Sequence, residues 1–230
     1  MELLVDTANL EDIQFACDYY PLAGVTCNPS IVKKSAAPKD FWAHMKQVRK
    51  IIGKDRTLHV QVVGLDHETQ MKEAKELLKK IDKDVYVKVP VTQEGLRTIT
   101  KLKKEGYKVT ATGVYDTMQA YYACAAGADY IAVYVNRMTT NGLDPNQLFQ
   151  DVQGKIEQEG LPTKLLAAGF HSTGQIRDAF TYGCESMTAP LDLMNATFKN
   201  ENIIKAIDTF KNDWESMYGK GATLLQMKKK

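Results

Sequence analysis

Lys88 is the residue of this chain whose surroundings most strongly suggest chemistry. It lies in the run Asp-Val-Tyr-Val-Lys-Val-Pro-Val at residues 84–91, which otherwise has the composition of a buried strand. A lone ammonium in such a place is unfavourable unless it is paired or loses its proton. Burial lowers the pKa of a lysine, and a neutral amine can form a Schiff base with a carbonyl. On this segment alone, an edge strand with Lys88 reaching solvent remains an equal alternative.

Other polar residues stand at or just after the ends of predicted strands. They are Asp6, Asn28, Gln61, Thr110, Thr112, Tyr134, Asn136 and Arg137. Each has a structural explanation by itself, such as a helix cap at Asp6, a turn at Asn28 or a core aromatic at Tyr134. Their collection around one buried lysine favours an active site instead.

Eight short apolar runs recur along the chain, and amphipathic segments separate them. They predict strands at residues 3–5, 23–26, 58–63, 85–89, 108–111, 130–134, 164–168 and 186–188. Alternating β and α units imply a parallel sheet, and eight of them predict a closed (β/α)8 TIM barrel of the α/β class. A doubly wound open sheet is the competitor, but neither Gly24 nor Gly113 begins a glycine-rich nucleotide loop.

The helical segments have recognisable ends. Asp66 can cap a helix with the apolar stripe Met71, Ala74, Leu77, Leu78 and Ile81, and Gly53 and Gly106 can end the helices before them. The last helix, at about 201–218, spaces Ile203, Ile207, Phe210, Trp214 and Met217 by four and three. We expect one domain over residues 1–230, with this helix packing either on its own barrel or on a neighbouring subunit.

Composition narrows the class of protein. A chain of 230 residues with a formal net charge of +2 has no electrostatic footprint for nucleic acid. No stretch approaches the ~20 apolar residues of a membrane span, and the first residues do not form a signal peptide. Four scattered cysteines suit neither zinc nor a disulfide framework. We therefore expect a cytoplasmic protein that binds neither nucleic acid nor membranes.

Several segments resemble the transaldolase family. They are Asp-Thr-Ala at 6–8, Gly-Val-Thr-Cys-Asn-Pro-Ser at 24–30, Val-Lys-Val-Pro-Val-Thr at 87–92, Tyr-Val-Asn-Arg at 134–137 and Gly-Cys-Glu-Ser-Met-Thr at 183–188. The chain length of 230 residues is similar to that of its small bacterial branch, the fructose-6-phosphate aldolases. In transaldolases the third strand carries a glutamate and the sixth a serine and a phenylalanine. Gln61, Ala132 and Tyr134 match the aldolase pattern instead.

The resemblance implies a metal-free, cofactor-free mechanism in which Lys88 forms the Schiff base. It implies that Gln61, Thr112 and Tyr134 hold a catalytic water, with Tyr134 as acid/base. Asp6 and Asn28 would bind the dihydroxyacetone portion, and Arg137 the phosphate. It also places Thr26, Thr110 and Ala132 among the substrate-binding residues, and it implies a homo-oligomer, either a pentamer or a decamer.

One segment departs from the family pattern. The seventh strand usually continues as Ala-Ser-Phe followed by a basic residue, whereas this chain has Ala168, Gly169, Phe170 and His171. Gly169 offers only its backbone, and His171 is mostly neutral near pH 7. The acceptor aldehyde is then either unphosphorylated or held chiefly by Arg137. The expected substrates are small ketoses and aldehydes, and a transaldolase or a catalytically silent sugar-phosphate binder remain the alternatives.

Overall fold

The computed structural model describes residues 1–227. Its strands are β1 Glu2–Asp6, β2 Leu22–Thr26, β3 Thr57–Gln61, β4 Tyr86–Pro90, β5 Val109–Val114, β6 Tyr130–Tyr134, β7 Lys164–Ala168 and β8 Ser186–Ala189. The strands pair in parallel in chain order, and β8 returns to β1, so the sheet is a closed barrel. The predicted TIM barrel is confirmed, and the open-sheet alternative is wrong.

Helices separate the strands and continue after the last one. They are α1 Leu10–Tyr19, α2 Pro29–Ser35, α3 Phe41–Ile52, α4 His67–Lys80, α5 Gln93–Lys104, α6 Thr117–Ala125, α7 Val135–Thr140, α8 Pro145–Glu159, α9 Thr173–Thr181, α10 Leu191–Ala196 and α11 Glu201–Tyr218, followed by a 3₁₀ turn at Leu224–Gln226. The predicted cap of α4 is confirmed, because the Asp66 carboxylate accepts a hydrogen bond from the Thr69 N–H.

Alternation along the strands gives the barrel its inner layers. Leu4, Tyr130, Ala132 and Leu166 are buried together inside it. At the amino-terminal end, the Tyr130 hydroxyl donates to Glu2 at 2.8 Å and the Lys164 ammonium donates to the other Glu2 oxygen at 2.6 Å. This end is therefore filled by a satisfied polar cluster, and the polar residues singled out in the sequence lie toward the other end.

The described chain forms two compact units, one up to Leu193 and one from Met194 onward. In the second unit, α11 has the bounds that the sequence predicts and contains no buried residue. Four of the apolar residues that the sequence places on one side of this helix are between 47% and 70% exposed: Ile203, Ile207, Phe210 and Met217. The single-domain organisation and the packing of this helix stay predictions.

Candidate active site

Lys88 occupies the middle of β4, between Gln61 on β3 and Thr110 on β5. Because the barrel is closed, β4 has a partner on both sides, and the edge-strand alternative is wrong. The side chain is only 3% exposed. Its cation acts electrostatically on Asp6, Cys27 and His59. A buried amine thus stands inside the barrel, as the Schiff-base hypothesis requires.

Asp6 ends β1 and begins a short chain of hydrogen bonds across the barrel. The Thr26 hydroxyl lies 2.6 Å from the Asp6 carboxylate, and 2.7 Å from the Thr188 hydroxyl. Burial raises the pKa of Asp6, while the Lys88 cation and the Thr26 hydrogen bond oppose that rise. Asp6 is therefore an acidic group in electrostatic contact with the lysine and held in place by Thr26.

Three neutral polar groups face the same space. The hydroxyl oxygens of Thr112 and Tyr134 lie 3.3 Å apart, and Gln61 pairs with Lys88 across β3 and β4. The Oε1 atom of Gln61 is buried and has no hydrogen-bond partner among the described residues. Since buried polar atoms are normally satisfied, this oxygen is suited to a water or substrate hydroxyl.

Asn28 follows β2 and starts the next helix. Its Oδ1 atom accepts a hydrogen bond from the Ile31 N–H at 3.0 Å, so it caps α2, and Pro29 takes the first helical position. The amide oxygen is thereby used, whereas the Nδ2 group stays available as a donor. Asn28 is therefore a helix cap and not the turn that the structural alternative supposed, and its Nδ2 group is left for a ligand.

Comparison with known proteins gives the family. The sequence profile described as transaldolase/fructose-6-phosphate aldolase matches residues 3–228. A protein of Streptococcus pneumoniae (strain ATCC 700669 / Spain 23F-1), named probable fructose-6-phosphate aldolase, is 40% identical over 214 residues, which cover 93% of this chain and 96% of that protein. This chain belongs to the transaldolase/fructose-6-phosphate aldolase family.

The segment in which this family member departs from the usual pattern lies beside Asn136, at the start of α7. Gly169 has a φ of +68°, and its carbonyl accepts the Asn136 N–H at 3.3 Å. His171 is exposed, and its backbone N–H donates to the Gln175 side chain at 2.8 Å. Glycine therefore meets a conformational need here, because its backbone is in the left-handed region.

Arg137 is an exposed cation near the Tyr134 phenol. It lies on α7, directly after β6, and its cation acts electrostatically on the Tyr115 phenol. The Tyr115 ring packs edge-on against Tyr134, with ring centroids 5.5 Å apart and planes at 84°. Burial raises the pKa of Tyr115, which stays a neutral phenol at ordinary pH. The guanidinium thus lies just beyond the carboxyl-terminal end of β6, close to Tyr115.

Three of the predicted substrate-binding residues, Thr26, Thr110 and Ala132, are buried, as Lys88 itself is. Thr110 and Ala132 are 0% and 1% exposed. The Thr110 hydroxyl lies 2.7 Å from Nδ1 of His59, a residue that the sequence analysis did not single out. The available signal was its spacing, because His59 precedes Gln61 by two residues and so shares its face of β3.

Two further observations concern other kinds of site. Between residues 1 and 227, no group of three or more His, Cys, Asp or Glu side chains is placed to hold a metal ion. Within the same residues, no helix has the length and apolarity needed to span a membrane. The Cys27 thiol lies beside the site, but burial raises its pKa to about 12, so it remains protonated and is no nucleophile at neutral pH.

Proposed function

We propose that this protein is a class I Schiff-base aldolase. It reversibly cleaves fructose 6-phosphate, or a related ketose, to dihydroxyacetone and glyceraldehyde 3-phosphate. The observation that carries the proposal is the 3%-exposed Lys88 in the middle of a closed barrel, among polar groups at its carboxyl-terminal end. Membership of the family, and the 40% identity to a protein named as such an aldolase, support it.

In the proposed reaction, the neutral Lys88 amine attacks the ketone carbon and water leaves, which forms an iminium. The iminium withdraws the electron pair of the next carbon–carbon bond as the neighbouring hydroxyl loses its proton. The aldehyde departs, and an enamine stays on the lysine. Protonation of the enamine carbon and addition of water to the resulting iminium then release dihydroxyacetone and regenerate the amine.

The surrounding groups suit the proton transfers. Tyr134, with Thr112 3.3 Å away and the unpaired Gln61 Oε1 nearby, would hold the water through which protons move. Asp6 and the Nδ2 group of Asn28 would bind hydroxyls of the donor portion. Thr26 would act by holding the Asp6 carboxylate at 2.6 Å. These groups would keep the reacting bond aligned with the iminium.

A transaldolase is the alternative within the family. Both activities generate the enamine, but a transaldolase shields it until a second aldehyde arrives. The neutral Gln61 and the phenol of Tyr134 favour an aldolase, because they can hold the water that hydrolyses the enamine. The small, buried Ala132 completes the aldolase pattern. A catalytically silent sugar-phosphate binder is the third hypothesis, but binding alone gives no reason for a buried amine.

Arg137 is the proposed handle for the acceptor phosphate. It is exposed at the mouth, and its planar guanidinium can donate two hydrogen bonds to one phosphate. Gly169 offers only its backbone to a phosphate, because it has no side chain. The substrate-binding part of the proposal therefore rests mainly on Arg137, whereas the Schiff-base chemistry does not depend on it.

The proposed activity is tested by trapping. Borohydride added with dihydroxyacetone should attach one reduced donor to Lys88, which peptide mass spectrometry locates, and EDTA should leave activity unchanged. Lys88→Arg should be inactive, because a guanidinium stays protonated and forms no imine. Lys164→Arg is the matched control, since Lys164 lies in the polar cluster at the opposite end. Labelling spread over many lysines, or a metal requirement, would contradict the mechanism.

A second assay separates the alternatives. An aldolase should cleave fructose 6-phosphate without any added aldehyde, whereas a transaldolase should need an acceptor for turnover. A silent binder should show neither reaction and no trapping at Lys88.

We further propose a cytoplasmic homo-oligomer, with a pentamer or a decamer expected. The apolar residues of α11, with Phe210 70% exposed, support an association surface. Light scattering on the protein as it elutes from a size-exclusion column should give a mass that is a multiple of the 25.8 kDa chain mass. Phe210→Asp should lower this measured mass. A monomer in both cases would exclude the oligomer.

A further inference from the structure

Tyr134 has two contacts from one short segment of the neighbouring strand. The Thr112 hydroxyl lies 3.3 Å from the Tyr134 hydroxyl, and the Tyr115 ring packs edge-on against the Tyr134 ring, with centroids 5.5 Å apart and planes at 84°. Thr112 belongs to β5, and Tyr115 directly follows the last residue of that strand, Val114. The tip of the Tyr134 side chain and its ring are thus contacted separately.

A regular strand would not allow both contacts. Successive side chains of a strand point to opposite sides, so residues three positions apart lie on opposite faces. In β5 the register is irregular, because the chain advances three residues from Ala111 to Val114 while the paired residues of β6 advance by only two. The extra residue forms a bulge, and it returns Tyr115 to the side of Thr112.

Gly113 provides the backbone conformation of this bulge. Its φ is +70°, in the left-handed region that residues with a side chain adopt only at a cost. A Cβ atom there would meet nothing within 4 Å, so the glycine is needed for its conformation and not for space. Bulges are rare in parallel pairs, and they are enriched beside active sites, where they redirect a side chain. The redirected side chain here is that of Tyr115.

Tyr115 is itself anchored by the helix that follows. Its backbone N–H donates to the Gln119 side-chain oxygen at 2.9 Å. The next residue, Asp116, caps α6, because its carboxylate accepts hydrogen bonds from the N–H groups of Met118 and Gln119. The Tyr115 ring is therefore fixed between a strand end and a helix start.

The contact with Thr112 does not orient Tyr134 by itself. At 3.3 Å it is longer than the roughly 2.7–2.8 Å that is typical between two hydroxyl oxygens, and it restrains only the tip of the side chain. The edge-on contact with Tyr115 restrains the tilt of the ring. A group that transfers protons needs both restraints, because an error of about 1 Å in its position can cost roughly a hundred-fold in rate.

We propose that Tyr115 is a positioning residue for Tyr134, and that the bulge at Gly113 presents it. The ring of Tyr115, and not its hydroxyl, holds the Tyr134 phenol in the orientation for proton transfer. This inference rests on the proposed aldolase function, in which Tyr134 is the acid/base.

Two variants of Tyr115 separate its ring from its hydroxyl. Tyr115→Phe keeps the edge-on ring and should retain the parent kcat. Tyr115→Leu removes the ring and should lower kcat for cleavage of fructose 6-phosphate by about ten- to a hundred-fold. Both are measured at saturating substrate, because the Arg137 cation acts on Tyr115 and a changed hold on phosphate would alter KM. Tyr121→Leu is the matched control, since it removes another half-buried tyrosine, on α6, and should leave kcat unchanged at a similar cost in Tm.

Two further readouts distinguish positioning from a general loss of packing. Dihydroxyacetone and borohydride should still label Lys88 in Tyr115→Leu, which shows that the folded site forms the imine. The double variant Tyr115→Leu/Tyr134→Phe should lose no more kcat than Tyr134→Phe alone, because no phenol is left to position. A general loss of packing would add to the effect of Tyr134→Phe.

The parent protein and Tyr134→Phe are measured first, so that each failure has one meaning. If the parent is not labelled at Lys88, the proposed function is wrong. If it is labelled, but Tyr134→Phe loses less than about ten-fold in kcat, the phenol is not the acid/base and the positioning role is wrong with it.

If both of these results are as expected, the variants of Tyr115 decide the positioning role alone. It is wrong if Tyr115→Leu keeps the parent kcat or no longer labels at Lys88. It is also wrong if Tyr115→Phe is as impaired as Tyr115→Leu, or if the losses multiply in the double variant.

Discussion

The hydroxyls of Thr112 and Tyr134 lie 3.3 Å apart on the neighbouring strands β5 and β6. Tyr134 ends its strand, and Tyr115 packs edge-on against its ring. The phenol is therefore held in the barrel mouth with one hydrogen-bonding partner. This placement suits a group that passes protons between a water and a reacting sugar.

Tyr134→Phe should lower kcat by roughly 10²–10⁴-fold if the phenol is the working acid/base. Formation of the imine does not depend on the Tyr134 phenol to the same extent, so borohydride should still label Lys88. Steady-state cleavage assays and mass spectrometry measure the two effects. Tyr121→Phe is the matched control, because its hydroxyl makes a single 3.4 Å hydrogen bond to the Asp151 carbonyl elsewhere in the fold. A loss of less than ten-fold for Tyr134→Phe would assign the proton transfers to another group.

Gln61→Glu combined with Tyr134→Phe should shift the protein toward transaldolase behaviour. Both changes alter the groups proposed to hold the hydrolytic water, one of which is the unpaired Gln61 Oε1. Cleavage of fructose 6-phosphate without an acceptor should fall, and transfer to an added aldehyde should rise relative to it. Product analysis with and without acceptor gives this ratio. If the ratio does not change, the water is held by other residues.

The barrel could be predicted from the sequence because buried parallel strands leave short apolar runs. Two strand ends nevertheless differ from the prediction by more than one residue. The predicted third strand runs to residue 63, whereas β3 ends at Gln61. Val63 is 63% exposed, and its N–H donates to the Glu73 side chain. The β-branched residues Val62 and Val63 therefore continue the apolar run beyond the end of the strand, and residue type alone does not mark where β3 ends. β5 continues to Val114 past Gly113, because its register shifts beyond Ala111.

Strand alternation also explains which site residues the sequence could predict. Gln61, Lys88 and Thr112 occupy inner positions of consecutive strands, so a barrel necessarily brings them together. Alternation also places His59 on the inner face of β3 with Gln61, but it does not reveal the hydrogen-bond partner of His59. Its partner Thr110 lies two strands away, and only distances between side chains reveal the hydrogen bond.

Arg137→Ala should raise the KM for glyceraldehyde 3-phosphate and leave unphosphorylated aldehydes little affected. A charge-assisted hydrogen bond contributes about 1.5–3 kcal/mol, which corresponds to roughly ten- to a hundred-fold in affinity. Kinetics with glyceraldehyde and its 3-phosphate measure the difference. Arg177→Ala is the control, because Arg177 is exposed and pairs with Asp178. An equal effect on both aldehydes would show that phosphate is not what Arg137 recognises.

Gly169→Ala should destabilise the protein by about 1–2 kcal/mol, because its φ of +68° is in the left-handed region. Gly154→Ala, in the middle of α8 with open space around the new Cβ, should instead stabilise it by up to about 1 kcal/mol. Denaturant unfolding of the two variants measures both changes in the free energy of unfolding. A serine at position 169 would carry the same strain as alanine. If Gly169→Ala is as stable as the parent protein, the loop can relax.

Asp6→Asn should make the protein more stable at pH 7 and much less active. Burial raises the pKa of the Asp6 carboxyl above its ordinary value of 3.8, so the folded state binds this proton more tightly than the unfolded chain does. The stability that Asp6 contributes is therefore fully present below its unfolded pKa, near 3.9, and is lost as the pH rises through the folded value. A neutral amide avoids that loss, but it removes the acidic group proposed to bind the donor.

The difference in Tm between Asp6→Asn and the parent should accordingly be near zero below about pH 3.9 and should grow as the pH rises toward 7. Asp66→Asn is a control of opposite sign. Hydrogen bonds from Thr69 hold the pKa of the exposed Asp66 below its usual value, so its contribution is present at neutral pH and is lost as the pH falls. Asp66→Asn should therefore lower the Tm at pH 7. If Asp6→Asn also lowered it, by an amount independent of pH, the Asp6 carboxylate would be a stabilising partner of Lys88 and not a group whose charge opposes folding.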